Sequence, residues 1–273
     1  MFVPYRKLAL GGGGMKGILH VGILQELEKY QKLYFPDGIY GCSIGSILAT
    51  CVAFEIPLST DLVKKYLNFE SVIPEATMEM VTGLFTTKGL FSMDLFEKIL
   101  VEFFDSVGID IRSKVLNDAR MPLFVVTSNI TKGIPTILSK NVSILDALKC
   151  SCCIPVIFKP QPLYGQLYVD GGLFTPCLST LVPDALSLVL TKKRTALMTP
   201  HTIEEISPID YVRQIYSMSM NQFYKQVKDN KNILALEYPN LTSDSDLNDF
   251  NMDEILSHCS KVLNDFLGTK SVD

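Results

Sequence analysis

Gly41-Cys42-Ser43-Ile44-Gly45 constrains this chain more than any other stretch. Gly38-Ile39-Tyr40 leads into it as a short extended segment, and Ile44 to Phe54 follows as a helical run with little polar interruption. A Gly-x-Ser-x-Gly pentapeptide between a strand and a helix reads as a nucleophile elbow. The corner forces its central serine into strained backbone geometry, and glycines flank it where a Cβ would clash. The outcome is an exposed hydroxyl at the start of a helix, where the dipole favours developing negative charge. The same five residues are also compatible with a plain Gly-rich turn, so the rest of the chain has to discriminate.

The N-terminal region supplies a second glycine motif. Lys7-Leu8-Ala9-Leu10 reads as a strand, Gly11 to Gly14 as a turn, and Met15-Lys16-Gly17 opens a helix to about Tyr30. Strand, Gly-rich turn and helix form an anion-binding geometry, because free N–H groups converge at the helix start. A phosphate-binding P-loop is excluded: Lys16 precedes Gly17 and Ile18, so the magnesium-binding hydroxyl is missing. A dinucleotide fingerprint fits better. Gly12-Gly13-Gly14-Met15-Lys16-Gly17 matches G-x-G-x-x-G, and the acid Asp37 lies about twenty residues on, although it precedes the next strand instead of ending it. An oxyanion hole serving Ser43 accounts for both glycine motifs at once and is the preferred reading.

Composition narrows the class. The 273 residues suit one large α/β domain or two small ones, and 47% apolar content is ample for a core. A net charge of -4 with no Lys/Arg cluster argues against nucleic acid as a partner. No apolar run reaches transmembrane length, and the N-terminus carries no signal-peptide pattern. The expectation is an intracellular protein, cytoplasmic or peripheral to membranes. Seven cysteines without disulfide-like spacing fit a reducing compartment. Cys150, Cys152 and Cys153 lack a second Cys/His pair and read as packing thiols, so no metal or other cofactor is expected.

Further along, Pro57 ends the elbow helix, and Ser59 with Asp61 starts another through about Leu67. Phe69 to Leu84 has no clean period and reads as a connector or as an apolar cap that meets a lipid surface. Ser92 caps a helix with the stripe Leu95, Phe96, Ile99, Leu100 and Phe103. Pro122 to Ile130 reads as a buried strand, Thr136 to Leu138 as another, Ser143 to Lys149 as a capped helix and Ser151 to Pro160 as a loop. Leu167-Tyr168-Val169 is a strand ending in Asp170-Gly171-Gly172, which either sets a carboxylate at a sheet edge with little steric cover or makes an Asp-Gly hairpin. Strands at Ala185–Leu190 and Ile233–Glu237 alternate with helices from Ser207 and Asp253. The acidic turn Asp244–Asp253 lacks the glycine and bidentate glutamate of a calcium loop. Without a repeat or linker, residues 1–273 read as a single domain.

The Gly-rich loop, Gly-x-Ser-x-Gly and Asp-Gly-Gly, in that order, together resemble the patatin-like phospholipase family. Gly12-Gly13-Gly14-Met15-Lys16-Gly17 resembles the family's oxyanion loop, Gly41-Cys42-Ser43-Ile44-Gly45 its nucleophile elbow, and Asp170-Gly171-Gly172 the motif whose aspartate is the catalytic base. Ser151-Cys152-Cys153-Ile154-Pro155 with Phe158 and Pro160 is similar to the block upstream of that aspartate, although cysteines stand where small residues are usual. The resemblance implies a three-layer α/β/α fold with a mainly parallel central sheet. It also implies hydrolysis of fatty acyl esters of phospholipids or related lipids through a Ser43–Asp170 dyad. Gly12, Gly13 and Gly14 would hold the oxyanion, and Lys16, Gly17, Gly41, Gly45, Gly171 and Gly172 would support the motifs. Its partner would be a membrane or micellar lipid, with peripheral membrane contact. A carboxylate is a weak base near neutral pH, and burial against apolar walls would improve the match. Two alternatives stand beside this reading: an α/β-hydrolase triad of Ser43, Asp170 and His201 or His258, and a non-catalytic lipid- or nucleotide-binding module.

Overall fold

The computed structural model describes residues 3–66, 77–191, 198–200, 203–238 and 251–270. The first half runs β1 (Lys7–Leu10), α1 (Ile18–Leu27), β2 (Gly38–Cys42), α2 (Ile44–Ala53), α3 (Thr60–Tyr66), α4 (Met78–Thr87), β3 (Gly89–Phe91) and α5 (Asp94–Ser106). The second runs β4 (Leu123–Asn129), β5 (Ile134–Leu138), α6 (Ile144–Cys152), β6 (Val156–Phe158), β7 (Gln161–Leu163), β8 (Gln166–Asp170), β9 (Leu186–Leu190), α7 (Pro208–Val227), β10 (Ile233–Leu236) and α8 (Met252–Lys270).

The main sheet has the order β10-β9-β1-β2-β4-β8-β7, with β5 also paired to β4. Its β10, β9, β1, β2 and β4 are mutually parallel, and β5, β7 and β8 join antiparallel. Side chains alternate between two cores, as the pleat requires. Leu8, Leu10, Ile39, Val125, Leu188 and Leu234 face the larger core, which α1, α2, α5, α6 and α8 complete. Ala9, Cys42 and Val126 face a smaller one closed by Leu178 and Val182, while Val189 and Ile233 pack beneath Tyr224 and Val227 of α7. The result is the expected three-layer α/β/α fold on a mainly parallel sheet.

One feature of this topology positions the site. Strand β4 has two edges, and β5 occupies one of them along residues 125–129. On the other edge β2 pairs with Leu123 to Val126, and β8, antiparallel, pairs with Thr127 to Asn129. The C-terminal ends of β2 and β8 therefore run towards each other: Cys42 lies opposite Val126, and Asp170 opposite Thr127. Neither chain can continue, so β2 turns into α2 and β8 into a 3₁₀ turn, Gly171–Leu173.

Several local expectations are corrected. Met78 to Leu84 belongs to a helix, α4, whose Leu84 packs beside Leu90, Phe91 and Ile157. Ser151 and Cys152 are the last turn of α6, and the expected loop after them contains β6, paired in parallel with β3 in a separate two-stranded sheet. Three-residue strands carry too few residues to show a period. Helix α2 stops at Ala53, ahead of Pro57, where Glu55 adopts a left-handed φ of 57°. Asp170 does not open a hairpin, because β8 has already paired with β7 behind it. Positions 69–76 of the Phe69–Leu84 segment and most of the acidic turn, 244–250, lie outside the described residues, as does His201.

Candidate active site

Ser43 caps α2 with φ 54° and ψ -131°, a combination that costs a non-glycine residue about 1–3 kcal/mol. The surroundings hold it there. A Cβ on Gly45 would run into the Leu10 carbonyl and come within 2.7 Å of the Gly11 carbonyl oxygen, and one on Gly41 would meet the Ala49 side chain at 2.8 Å. Glycine at both positions lets α2 sit flat against β1 and β2. The Ser43 N–H donates to Ser151 Oγ at 2.9 Å, and that hydroxyl donates to Val126 O at 2.7 Å. The Ser43 carbonyl accepts from Ser46 N at 2.8 Å and from Ser46 Oγ at 2.6 Å.

The Gly-rich loop lies directly against this serine. A Cβ on Gly12 would stand 3.1 Å from Ser43 Cβ and 3.8 Å from its Oγ, and one on Gly17 would collide with Ile44 at 2.5 Å. Gly11 N donates to Leu188 O at 3.0 Å, and Lys16 N reaches back to Gly13 O at 3.3 Å. Gly13 and Gly14 both have positive φ, 157° and 56°, and Gly14 to Gly17 form a 3₁₀ turn ahead of α1. Among the described residues nothing accepts from the N–H groups of Gly12 or Gly13. Gly12 thus brings a backbone donor with no protein acceptor among the described residues into the loop that packs on Ser43.

Asp170 is 2% exposed at the end of β8. Its N–H donates to Cys153 O at 2.7 Å, and its Oδ1 accepts from Gly172 N at 2.8 Å. Oδ1 also lies 4.0 Å from Cys42 Sγ, the residue just before Ser43. A Cβ on Gly171 would run into the Val126 carbonyl of β4 and sit 2.9 Å from the same sulfur, so glycine is required for the turn to pass this point. Ser128 Oγ donates to Gly171 O at 3.3 Å and accepts from Phe174 N at 3.1 Å, which ties the turn to β4. Burial and then the Asp170 carboxylate push the thiols of Cys42, Cys152 and Cys153 above the usual cysteine range, so all three are neutral.

The motif glycines, Ser43 and Asp170, far apart in sequence, are thus gathered at one end of the sheet. Asp37 is not with them. It pairs with Arg6 through contacts of 2.6 and 2.8 Å, ahead of β2 and at the opposite end of the parallel strands from the Gly-rich loop, which removes the ribose-binding acid that a dinucleotide site needs. His258 is on α8, its ring edge-on to Tyr238, two residues past β10, at 5.3 Å. Ser151 belongs to the block upstream of the aspartate, and Ser128 lies between Thr127 and Asn129 at the end of β4; their sequence contexts carry no sign of the hydrogen bonds they make to Ser43 and to the Gly171 turn.

A family model for patatin-like phospholipases matches residues 8–181, the span that carries the Gly-rich loop, the elbow and Asp-Gly-Gly. The chain belongs to the patatin-like phospholipase family. Among relatives, it is 29% identical over 189 residues to the uncharacterized protein R571 of Acanthamoeba polyphaga mimivirus, covering 66% of this chain and 62% of that one. It is 27% identical over 168 residues to the neuropathy target esterase sws of Drosophila persimilis, covering 60% of this chain and 11% of that one. Against an uncharacterized NTE family protein of Mycobacterium bovis the identity is 24%, with 63% of this chain and 44% of that one covered. The matched region therefore spans about three fifths of the first relative and much less of the others. The patatin fold is shared with VipD from Legionella pneumophila, at a TM-score of 0.55 and 14% identity over 97% of this chain and 67% of that one. No helix among the described residues is long and apolar enough to cross a membrane.

Proposed function

We propose that this protein is a serine lipid acyl hydrolase that cleaves fatty acyl esters of phospholipids or related lipids with a Ser43–Asp170 dyad. The observation that carries the reading is the meeting of β2 and β8 on one edge of β4, with Cys42 opposite Val126 and Asp170 opposite Thr127. Membership of a phospholipase family supports the substrate class. The unused Gly12 and Gly13 N–H groups, with Gly12 against the Ser43 side chain, support an oxyanion hole.

In this reading Ser43 Oγ attacks the ester carbonyl while Asp170 takes its proton. The carbonyl oxygen becomes an oxyanion held by the loop N–H groups, aided by the N-terminus of α2. The intermediate collapses, the carbon–oxygen bond to the alcohol breaks, and Asp170 returns the proton to the departing alkoxide. Asp170 then draws a proton from water, which attacks the acyl-enzyme; the carbon–oxygen bond to Ser43 breaks, Asp170 passes the proton to Ser43 Oγ, and the fatty acid is released. An ester suits this dyad because an alkoxide leaves more easily than an amine. Cys42, next to the nucleophile, is buried and neutral and does not compete.

We further propose that residues 1–273 act as one catalytic unit and that α4 contacts the lipid surface. Phe85 is 79% exposed there, beside Lys88, whose ammonium bonds the Phe85 carbonyl at 2.5 Å. An aromatic beside a cation suits the headgroup boundary. Phe85→Ser is expected to weaken vesicle binding and to spare a soluble short-chain ester; equal loss on both substrates would make the residue a structural one.

The test of the dyad is kinetic. Ser43→Ala is expected to abolish both ester turnover and fluorophosphonate labelling. Asp170→Asn should lose roughly a thousandfold or more in kcat, the scale on which a base and nucleophile act as a unit. His201→Ala and His258→Ala should each stay within a few-fold of the parent. Labelling that persists in Ser43→Ala removes the nucleophile assignment. A histidine variant that falls as far as Asp170→Asn replaces the dyad with a triad.

A further inference from the structure

His20 is the one polar side chain of α1 that is wholly buried, at 0% exposure, yet it takes no part in the proposed proton transfers. Its Nε2 lies 2.9 Å from the carbonyl oxygen of Gly11. A carbonyl oxygen only accepts, so Nε2 carries the proton and donates. Its Nδ1 is buried with no hydrogen-bond partner among the described residues. Full burial, opposed only in part by the Gly11 bond, drives the imidazole pKa down to about 4, so the ring is neutral near pH 7.

The bonded carbonyl is at a junction. Gly11 is held on its other side by N–H donation to Leu188 O of β9. The same Gly11 oxygen would lie 2.7 Å from a Cβ on Gly45, so α2 packs closely against it. Gly12, with its free N–H, follows immediately and touches Ser43. A rotation of the Gly11–Gly12 peptide would turn the Gly12 N–H with the Gly11 carbonyl, because the two share one plane. Pinning the Gly11 carbonyl pins that N–H.

We propose that His20 is a positioning residue for the Gly-rich loop, a neutral Nε2–H donor that clamps the Gly11 carbonyl and thereby aims the Gly12 N–H at the oxyanion that forms on Ser43. The inference rests on the oxyanion-hole reading of the loop. Removal of the clamp leaves the nucleophile and base in place but loosens the donor that binds the transition state, so the loss falls on kcat and not on KM. Oxyanion donors act through sub-ångström placement, and deletion of one costs on the order of a hundredfold to a thousandfold elsewhere. Loosening one should cost about tenfold to a hundredfold.

The experiment compares His20→Phe, which keeps a planar ring and removes the donor, with His20→Gln, which restores a neutral N–H donor. Both are measured on the full chain for kcat and KM with p-nitrophenyl butyrate, for fluorophosphonate labelling rate, and for thermal melting. His20→Phe is expected to lose about tenfold to a hundredfold in kcat and labelling rate with KM within about twofold, and His20→Gln to recover most of it. Parent-like kcat in His20→Phe, or a loss in both variants that follows their melting temperatures with no rescue by glutamine, overturns the proposal. If His20→Phe does not fold, the unmodified protein decides: long-range proton–nitrogen correlation must show His20 neutral with its proton on Nε2 at pH 7, and an Nδ1–H tautomer or an imidazolium overturns the clamp. Ser43→Ala and Asp170→Asn run in parallel separate the two failures. If both lose turnover while His20→Phe does not, the clamp alone is wrong; if Ser43→Ala retains turnover, the oxyanion reading falls and the clamp with it.

Discussion

The corner that holds Ser43 and the small sheet formed by β3 and β6 are built on opposite principles. At the corner, Gly12, Gly17, Gly41, Gly45 and Gly171 each face an atom too close for a relaxed Cβ, and Ser46, Thr50, Ser151 and Asp170 are buried with hydrogen bonds. The β3–β6 pair has three residues per strand and a core of Leu90, Phe91 and Ile157, with Leu84 from α4 beside it. Gly89 is pressed against the Phe158 backbone, but Gly83 of α4 has nothing within 4 Å, Phe85 stands in solvent, and Val156 takes a φ of 72° at the surface. Strain is present in both regions. At Ser43 several hydrogen bonds and close contacts over-determine it, whereas Val156 is exposed in a three-residue strand, which makes the small sheet the region expected to open first.

The contrast is broken most severely by Gly45→Ala. The new methyl meets the Leu10 and Gly11 carbonyls, so α2 must lift from β1, at a cost of about 3 kcal/mol. Urea unfolding measures this, and a change under about 1 kcal/mol would show that the elbow is not tightly determined. Acid is next, and it acts on the corner through His20. The unfolded ring titrates near 6.5 and the folded one near 4, so the folded state binds fewer protons between those values. The contribution of His20 is complete above pH 6.5 and is lost as pH falls towards 4, by about 2 kcal/mol at pH 5. Denaturation at pH 7 and pH 5 should show that slope in the parent and a flatter one in His20→Gln.

Ser151→Ala is expected to cost about 1–2 kcal/mol, because it removes the acceptor of the Ser43 N–H and a donor to the Val126 carbonyl. Its kcat should also fall, since the elbow loses a restraint; an unchanged melt together with unchanged kcat would mean that α2 alone holds Ser43. The smallest effect has the opposite sign. Gly83→Ala in α4 meets open space and should stabilise by about 0.5–1 kcal/mol through helix propensity. A destabilisation there would mean that α4 is packed as closely as the corner is.

Much of the main architecture was legible along the chain. The strand–glycine–helix units at β1–α1 and β2–α2 depend on residues close in sequence: an apolar run, a glycine where a Cβ cannot fit, and a helical run after it. β4 was legible because seven residues give a β-branched, apolar segment its signature. The short strands were less so. β3, β6 and β7 have three residues each, and Met78 to Leu84 mixes methionine, threonine and glycine at positions whose helical character rests on packing beside β3.

The candidate site divides along the same line. Identity is local: the glycines, the Ser43 hydroxyl and the Asp170 carboxylate announce themselves because their chemistry and steric size leave few substitutes at a tight turn. Encounter is not local. That β8 enters antiparallel and stops opposite Thr127, one position beyond the end of β2, depends on pairing between segments far apart in the chain, which no period within either segment encodes. The role of His20 is non-local in the same way, because only the folded chain brings its Nε2 to the Gly11 carbonyl. The sequence by itself thus determined which groups are present and which turns hold them, through steric rules that act over a few residues. The tertiary structure alone decided which strand ends face each other and which buried hydroxyls and imidazole hold them in place, because those choices are made by hydrogen bonds and packing between distant segments.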